Sequence, residues 1–305
     1  MTLRAAALAV LLLVAGFPSR PAASEPADPE AVGRGAYVFQ AAGCLGCHTD
    51  VKNKGSPLAG GRALKTPFGT FHAPNITPDR EFGIGAWTEE DLARALRQGV
   101  APNGQSYYPA FPYTSFAGMT DADIADLWAY LRSVEPVAEP RSEHELEFPF
   151  NLRTLIGIWR ALYFTPGEFD AGPTPENAAT EAESWRRGAY LVRVLGHCGE
   201  CHTPRGVLGA VDNGLMLGGN PAGPDGGAVP NITPQPGSGI GDWSREDIVT
   251  YLQMGMDPAG DFAGGAMAEV VENTTSRLTP DDRQAIALYL STLPPVERKI
   301  VRQPR

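Results

Sequence analysis

The chain has 305 residues, 43% of them hydrophobic and 20% charged, a length suited to two ordinary domains rather than one small module. Its formal net charge is −10 with no basic run, which argues against nucleic acid and anionic membrane as partners, since both need Lys/Arg clusters to displace counterions. A partner with a basic docking patch fits better.

Residues 1–24 read as an export signal. Arg4 precedes an apolar run from Ala5 to Gly16, then come Pro18 and a small-residue stretch with cleavage expected near Ala23 or Ser24. The run falls short of the ~17–25 residues that span a bilayer, so an uncleaved anchor is the lesser reading. Cleavage removes Arg4 and Arg20 and leaves −12 on the mature chain. No later segment is long and apolar enough to cross a membrane.

The remainder is one unit written twice, over residues 25–135 and 185–305, with a connector over 136–184. "GRGAYVFQAAGCLGCHT" from Gly33 matches "RRGAYLVRVLGHCGECHT" from Arg186 with one inserted residue, His197. "APNITP" at Ala73 matches "VPNITP" at Val229, and "GIGAW" at Gly83 matches "GIGDW" at Gly239.

A middle helix is expected in each copy. Thr88 with Asp91 and Ser244 with Asp247 give the hydroxyl-x-x-acid start, and Gly99 and Gly255 give the stops. Closing helices follow Met119 and Leu278. They are capped by Thr120 with Asp123 and by Thr279 with Asp282, and Ile124, Leu127, Trp128 and Leu131 share one face of the first. The connector is rich in Pro and Glu at its ends, but its centre, Phe148 to Phe164, is too apolar for a floppy linker. That centre is expected to pack across the two domains or to dock a partner. No strand-like alternation stands out, so the fold class expected is all-α.

The only cysteines, Cys44, Cys47, Cys198 and Cys201, fall in two Cys-x-x-Cys-His motifs completed by His48 and His202. That motif attaches c-type haem: two thiols one helical turn apart bond covalently to the porphyrin edge, and the adjacent imidazole becomes the proximal iron ligand. Structural zinc, redox-active dithiols and plain disulfides compete for the same residues. Two copies, each with its histidine, favour haem. Two covalently bound haems c would also fill cores that the short helices leave open.

"TPFGTFHAPNITPDREFGIGAW", "YYPAFPYTSF", "FPFNLR" and "RRGAYLVRVLGHCGECHTPR" are similar to strings of the cytochrome c subunits of membrane-bound bacterial alcohol, gluconate and related dehydrogenases. The resemblance covers almost the whole chain after the signal. It implies two tandem class I cytochrome c domains joined by the partly apolar, Pro-rich connector. Common members of that family carry three haem motifs and a membrane-associating tail, against two motifs here.

A low-spin haem takes a second axial ligand opposite its histidine. For the second haem the resemblance points to Met267, expected in a loop before the closing helix, with Met216, Met254 and Met256 as rivals. For the first haem Met119 is the sulfur donor expected, though it aligns with Leu278; an open iron and His72 are the alternatives. Many relatives carry methionine within the string "YPAFPY", where Phe111 stands here. His144 and His197 read as ordinary polar residues.

The function implied is electron transfer. A periplasmic dihaem cytochrome, soluble or peripheral to the inner membrane, takes electrons from a dehydrogenase and passes them to an oxidase or another cytochrome, with no catalytic residues of its own. The rival is a haem enzyme, a dihaem peroxidase or sulfur-compound oxidoreductase, that keeps one iron open.

Overall fold

The structure, a computed structural model, describes residues 28–140, 142–223, 226–298 and 300. The export signal expected over residues 1–24 lies outside them. Among the described residues no helix is long and apolar enough to cross a membrane.

The first repeat opens with α1 (Pro29–Ala41), capped by the Asp28 side chain and started by a proline whose missing N–H costs nothing in a first turn. The motif helix α2 (Cys44–His48) follows, then strands β1 (Ala63–Thr66) and β2 (Gly69–His72). The middle helix α3 (Glu89–Gln98) has the expected capping box between Thr88 and Asp91, and it ends at Gly99 in the left-handed region. A short α4 (Tyr113–Phe116) leads into the closing helix α5 (Asp121–Ser133), capped by Thr120.

Past β3 (Glu145–Leu146) and the connector helix α6 (Thr154–Tyr163), the second repeat runs through α7 (Ala182–Tyr190) and the motif helix α8 (Gly199–His202). The middle helix α9 (Arg245–Met254) again carries a capping box, between Ser244 and Asp247, and ends at Gly255. Helices α10 (Gly265–Asn273) and α11 (Pro280–Thr292) complete the repeat, the last capped by Thr279.

In each repeat the opening helix crosses the closing helix, α1 on α5 and α7 on α11. The crossings are so close that Gly35 and Gly188 touch backbone: a Cβ there would lie 1.8 Å from the Asp126 carbonyl oxygen and 2.0 Å from that of Ala285. One hydrophobic cluster, from Val38 and Phe39 to Leu288 and Leu290, runs through both repeats.

The structure corrects the all-α expectation. β1, β2 and β3 form a three-stranded antiparallel sheet, with Ala63 paired to His72, Thr66 to Gly69 and Gly69 to Leu146. Gly69 makes it possible. Its φ of 117° suits the tight turn after Pro67 and Phe68, and a Cβ there would sit 2.3 Å from the Glu145 carbonyl oxygen of the third strand.

The chain leaving each closing helix is pinned alike. Asn75 Nδ2 donates to the Val137 carbonyl at 2.8 Å and Asn231 Nδ2 to that of Val296 at 2.9 Å, while the Thr77 and Thr233 hydroxyls accept from the Val137 and Val296 amides. This tie attaches Val137, and β3 attaches Glu145 and Leu146, to the first repeat.

Helix α6 touches both repeats. Arg160 donates to the Ser106 hydroxyl in the first, and Trp159 Nε1 donates to the Leu208 carbonyl in the second at 2.8 Å. No residue of α6 is buried, and Leu155, Ile158 and Leu162 face solvent.

Candidate haem sites

Each motif follows its opening helix through a tight connection. In the first repeat Gly43, at φ 64°, turns the chain from α1 into α2, and the three-residue spacing puts Cys44 and Cys47 on one face. The second repeat must absorb one extra residue. It does so by widening the helix into a π turn over Leu191–Leu195, closed by the Gly196 N–H on the Leu191 carbonyl at 2.7 Å. The insertion of His197 is visible in sequence; its accommodation by a π turn is not.

Past the motifs the two sites are built alike. Thr49 and Thr203 hydroxyls accept from the Leu58 and Leu217 amides, and the His48 and His202 carbonyls accept from Gly60 and Gly219. His48 Nδ1 bonds the Pro74 carbonyl at 2.8 Å, and His202 Nδ1 bonds the Pro230 carbonyl at 2.8 Å. A carbonyl only accepts, so the proton sits on Nδ1 in both rings. Burial lowers both imidazole pKa values, the carbonyl partly opposing it. Each ring is therefore neutral, with its Nε2 lone pair presented as an iron ligand and its orientation fixed from behind.

The thiols suit haem and not the competing readings. All four cysteines are unpaired, so no disulfide closes either motif. Burial, with the neighbouring thiol, pushes Cys44 and Cys198 up to about 12; burial also pushes Cys201 up to about 11 and raises Cys47. Redox-active dithiols depend on a depressed thiol pKa, the opposite trend. Among the described residues no group of three or more His, Cys, Asp or Glu is placed to hold a metal ion. Neutral thiols beside an apolar core, three of them half-buried and Cys47 exposed, are suited to thioether bonds with a porphyrin edge.

The distal candidates fall differently from expectation. Met267 sits in the first turn of helix α10 rather than in a loop, half-buried and outside the hydrophobic cluster. Of its rivals, the Met216 sulfur accepts from the Thr203 hydroxyl behind the motif helix, Met254 is exposed, and Met256 is half-buried like Met267. Met119, expected as the first haem's sulfur donor, is 3% exposed within the core cluster that holds Phe116, Ile124 and Leu127. It aligns with Leu278, which is buried in the same cluster. His72 ends β2, its Nε2 3.4 Å from Glu145 Oε1.

The comparisons with known proteins agree with this construction. The cytochrome c family profile matches residues 32–135 and 186–294, one match per repeat. The chain is 45% identical to a "Diheme cytochrome c-type" of Cereibacter sphaeroides, over 94% of this chain and 97% of that one. It is 40% identical to the fructose dehydrogenase cytochrome subunit of Gluconobacter japonicus, over 96% of this chain and 59% of the relative. To the gluconate 2-dehydrogenase cytochrome c subunit of Pantoea cypripedii it is 39% identical, over 93% and 64%. The chain belongs to the cytochrome c family. It thus spans nearly all of the first relative and about three-fifths of the dehydrogenase subunits.

This cytochrome carries two covalently bound haems c, and it is an electron-transfer cytochrome. Its two motif helices do not face away from each other. Glu200, inside the second motif, accepts from the Thr114 and Ser115 hydroxyls of α4 at 2.8 and 2.7 Å and pairs with Arg205. Burial would raise this carboxyl, but Arg205 and the two hydroxyls outweigh it and hold it low. Reciprocally, Arg62 of the first repeat donates to the Gly46 carbonyl of the first motif and pairs with Glu269 of α10 at 2.6 Å. His197 bonds the Ala42 carbonyl and lies edge-on to Phe116, 5.4 Å between centroids. Each motif helix therefore contacts the other repeat, the second through α4 and the first through α10.

A second reciprocal pair locks the same interface. Tyr37 donates to Asp282 at 2.6 Å, and Tyr190 donates to Asp123. Both tyrosines come from the repeated "RGAY" string, and both acids belong to the closing-helix caps. Asp282 also accepts two bonds from Arg187; these and Tyr37 lower its pKa against the opposing effect of burial. Sequence reasoning missed these contacts, although the repetition of one tyrosine beside one glycine in both copies was the available signal.

Proposed function

We propose that the cytochrome is exported to the periplasm, takes electrons from a partner dehydrogenase and passes them to an oxidase or another cytochrome. In this reading Cys44 and Cys47 hold the first haem with His48 as its proximal ligand, Cys198 and Cys201 hold the second with His202, and Met267 is the second iron's distal ligand. The haem iron, when bound, supplies the one-electron change; the chain binds, orients and buries it. The observation that carries the proposal is the duplicated histidine-to-proline-carbonyl bond beside two unpaired thiols, in motif helices that each contact the other repeat. Two equivalent sites close together suit hopping between haems. The relatives named as dehydrogenase cytochrome subunits support a dehydrogenase as donor.

Charge offers the test. A net of −12 after signal removal makes encounter with a cationic redox partner a steered process, and steering fades as the Debye length shortens from ~30 Å at 0.01 M to ~8 Å at 0.15 M. Stopped-flow rates with such a partner are expected to fall over that range. A flat rate would contradict charged docking and move attention to the exposed apolar face of α6.

A further inference from the structure

In each motif the second cysteine follows a residue whose carbonyl accepts from an arginine. Arg62 Nη1 donates to the Gly46 carbonyl at 2.5 Å, and Arg205 Nη2 donates to the Glu200 carbonyl at 3.0 Å. Gly46 and Glu200 hold the same place in the two Cys-x-x-Cys-His strings, with no insertion between the cysteines. The arginines come from different places. Arg205 follows closely on α8, whereas Arg62 stands just before β1, so the two repeats bring a guanidinium to the same motif carbonyl by separate routes.

The counter-charges differ as well. Arg62 pairs at 2.6 Å with Glu269, on α10 of the other repeat; the arginine side chain is 31% exposed and the acid 50%. Arg205 pairs with Glu200, inside the motif itself, where the acid is 13% exposed and the arginine 29%. Glu200 also accepts from the Thr114 and Ser115 hydroxyls, which fix its carboxylate in place.

Water screens the more exposed member of each pair better, so the less exposed charge dominates the field inside the protein. That charge is Arg62 at the first motif and Glu200 at the second. The neighbouring thiols feel the same order. Arg62 lowers the Cys47 pKa more than Glu269 raises it, and Glu200 raises that of Cys201 more than Arg205 lowers it.

We infer that these two ion pairs set the haem potentials apart: Arg62 favours the ferrous form of the first haem, Glu200 favours the ferric form of the second, and a shared electron is biased toward the first. The inference rests on the assignment proposed above, with the first haem on Cys44, Cys47 and His48 and the second on Cys198, Cys201 and His202. A ferric haem carries one more positive charge than a ferrous one, so a nearby cation opposes oxidation and a nearby anion favours it. Arg62 and Glu200 are positioning residues, each acting through the motif that holds the porphyrin, and their effect adds to what the axial ligands set.

Redox titration of the holoprotein tests this, with the two haems read separately by the shifted NMR resonances of their methyl groups. Pyridine haemochrome first counts the haems; fewer than two per chain would overturn the haem assignment and the inference with it. With two haems present, Arg62→Gln is expected to lower the first haem's potential by about 59 mV, a fall of about tenfold in its ferrous-to-ferric ratio. Glu200→Gln is expected to raise the second haem's potential by a similar factor. It keeps an oxygen that can accept from both hydroxyls, so the shift reports charge rather than lost packing. Arg62→Lys, which keeps the charge and loses the planar fork, is expected to leave the first potential near that of the wild type. Potentials unmoved in both glutamine variants, shifts of the opposite sign, or a shift in Arg62→Lys as large as that in Arg62→Gln would overturn the inference while leaving the electron-transfer reading in place.

Discussion

Met267→Ala is expected to lower the potential of the second haem by tenths of a volt, part of the ~0.8 V range that axial ligands span. Methionine sulfur favours ferrous iron, and Met267 is a half-buried thioether of the second repeat outside the hydrophobic cluster, as Met256 also is. Because ~59 mV is a factor of ten for a one-electron step, such a shift changes the sharing of an electron between the haems by orders of magnitude. The variant should also lose the sulfur-to-iron charge-transfer absorption. Met254→Leu, at an exposed position, should change neither quantity. Redox titration that finds the second haem unmoved in Met267→Ala would remove Met267 from the iron.

Gly188→Ala is expected to be strongly destabilising, as is its counterpart Gly35→Ala. The added carbon would lie 2.0 Å from the Ala285 carbonyl oxygen, 2.6 Å from its carbon and 2.9 Å from Tyr289 Cβ. The nearest two atoms are backbone and cannot rotate away, so α7 and α11 must part. Overpacking usually costs ~1–3 kcal/mol, and a clash with backbone belongs at or above the upper end. At ~2–4 °C per kcal/mol for a chain of this size, the melting temperature of the holoprotein should fall by about 10 °C. Gly157→Ala in α6, where a Cβ meets nothing within 4 Å, should be neutral or slightly stabilising. Equal melting of Gly188→Ala and wild type would contradict the close crossing.

What could be read from sequence was what is local. The caps at Thr88, Thr120, Ser244 and Thr279 and the stops at Gly99 and Gly255 are written within a few residues, and all six occur in the structure. The haem motif is local covalent chemistry and equally legible. The sheet was not, because its strands have four, four and two residues, and β3 comes more than seventy residues after β2. No periodicity builds up over such lengths.

The distal side was half legible. Composition narrows the sulfur donors to a few methionines, but the helix that carries Met267 breaks no local rule that a loop would break. The core position of Met119 depends on packing from both repeats. The interface pairs Tyr37 with Asp282 and Tyr190 with Asp123 across more than sixty residues in each case, beyond the reach of spacing arguments.

The central claim is that this chain is a cytochrome holding two haems by thioether bonds at Cys44, Cys47, Cys198 and Cys201. Intact-mass spectrometry of the denatured protein, expressed with a haem-attachment system, tests it most directly. The account predicts a polypeptide carrying two haem masses that survive acid–acetone extraction, falling to one when Cys198 and Cys201 are both changed to alanine. A polypeptide of unmodified mass, or one that releases its colour to the solvent, would contradict it.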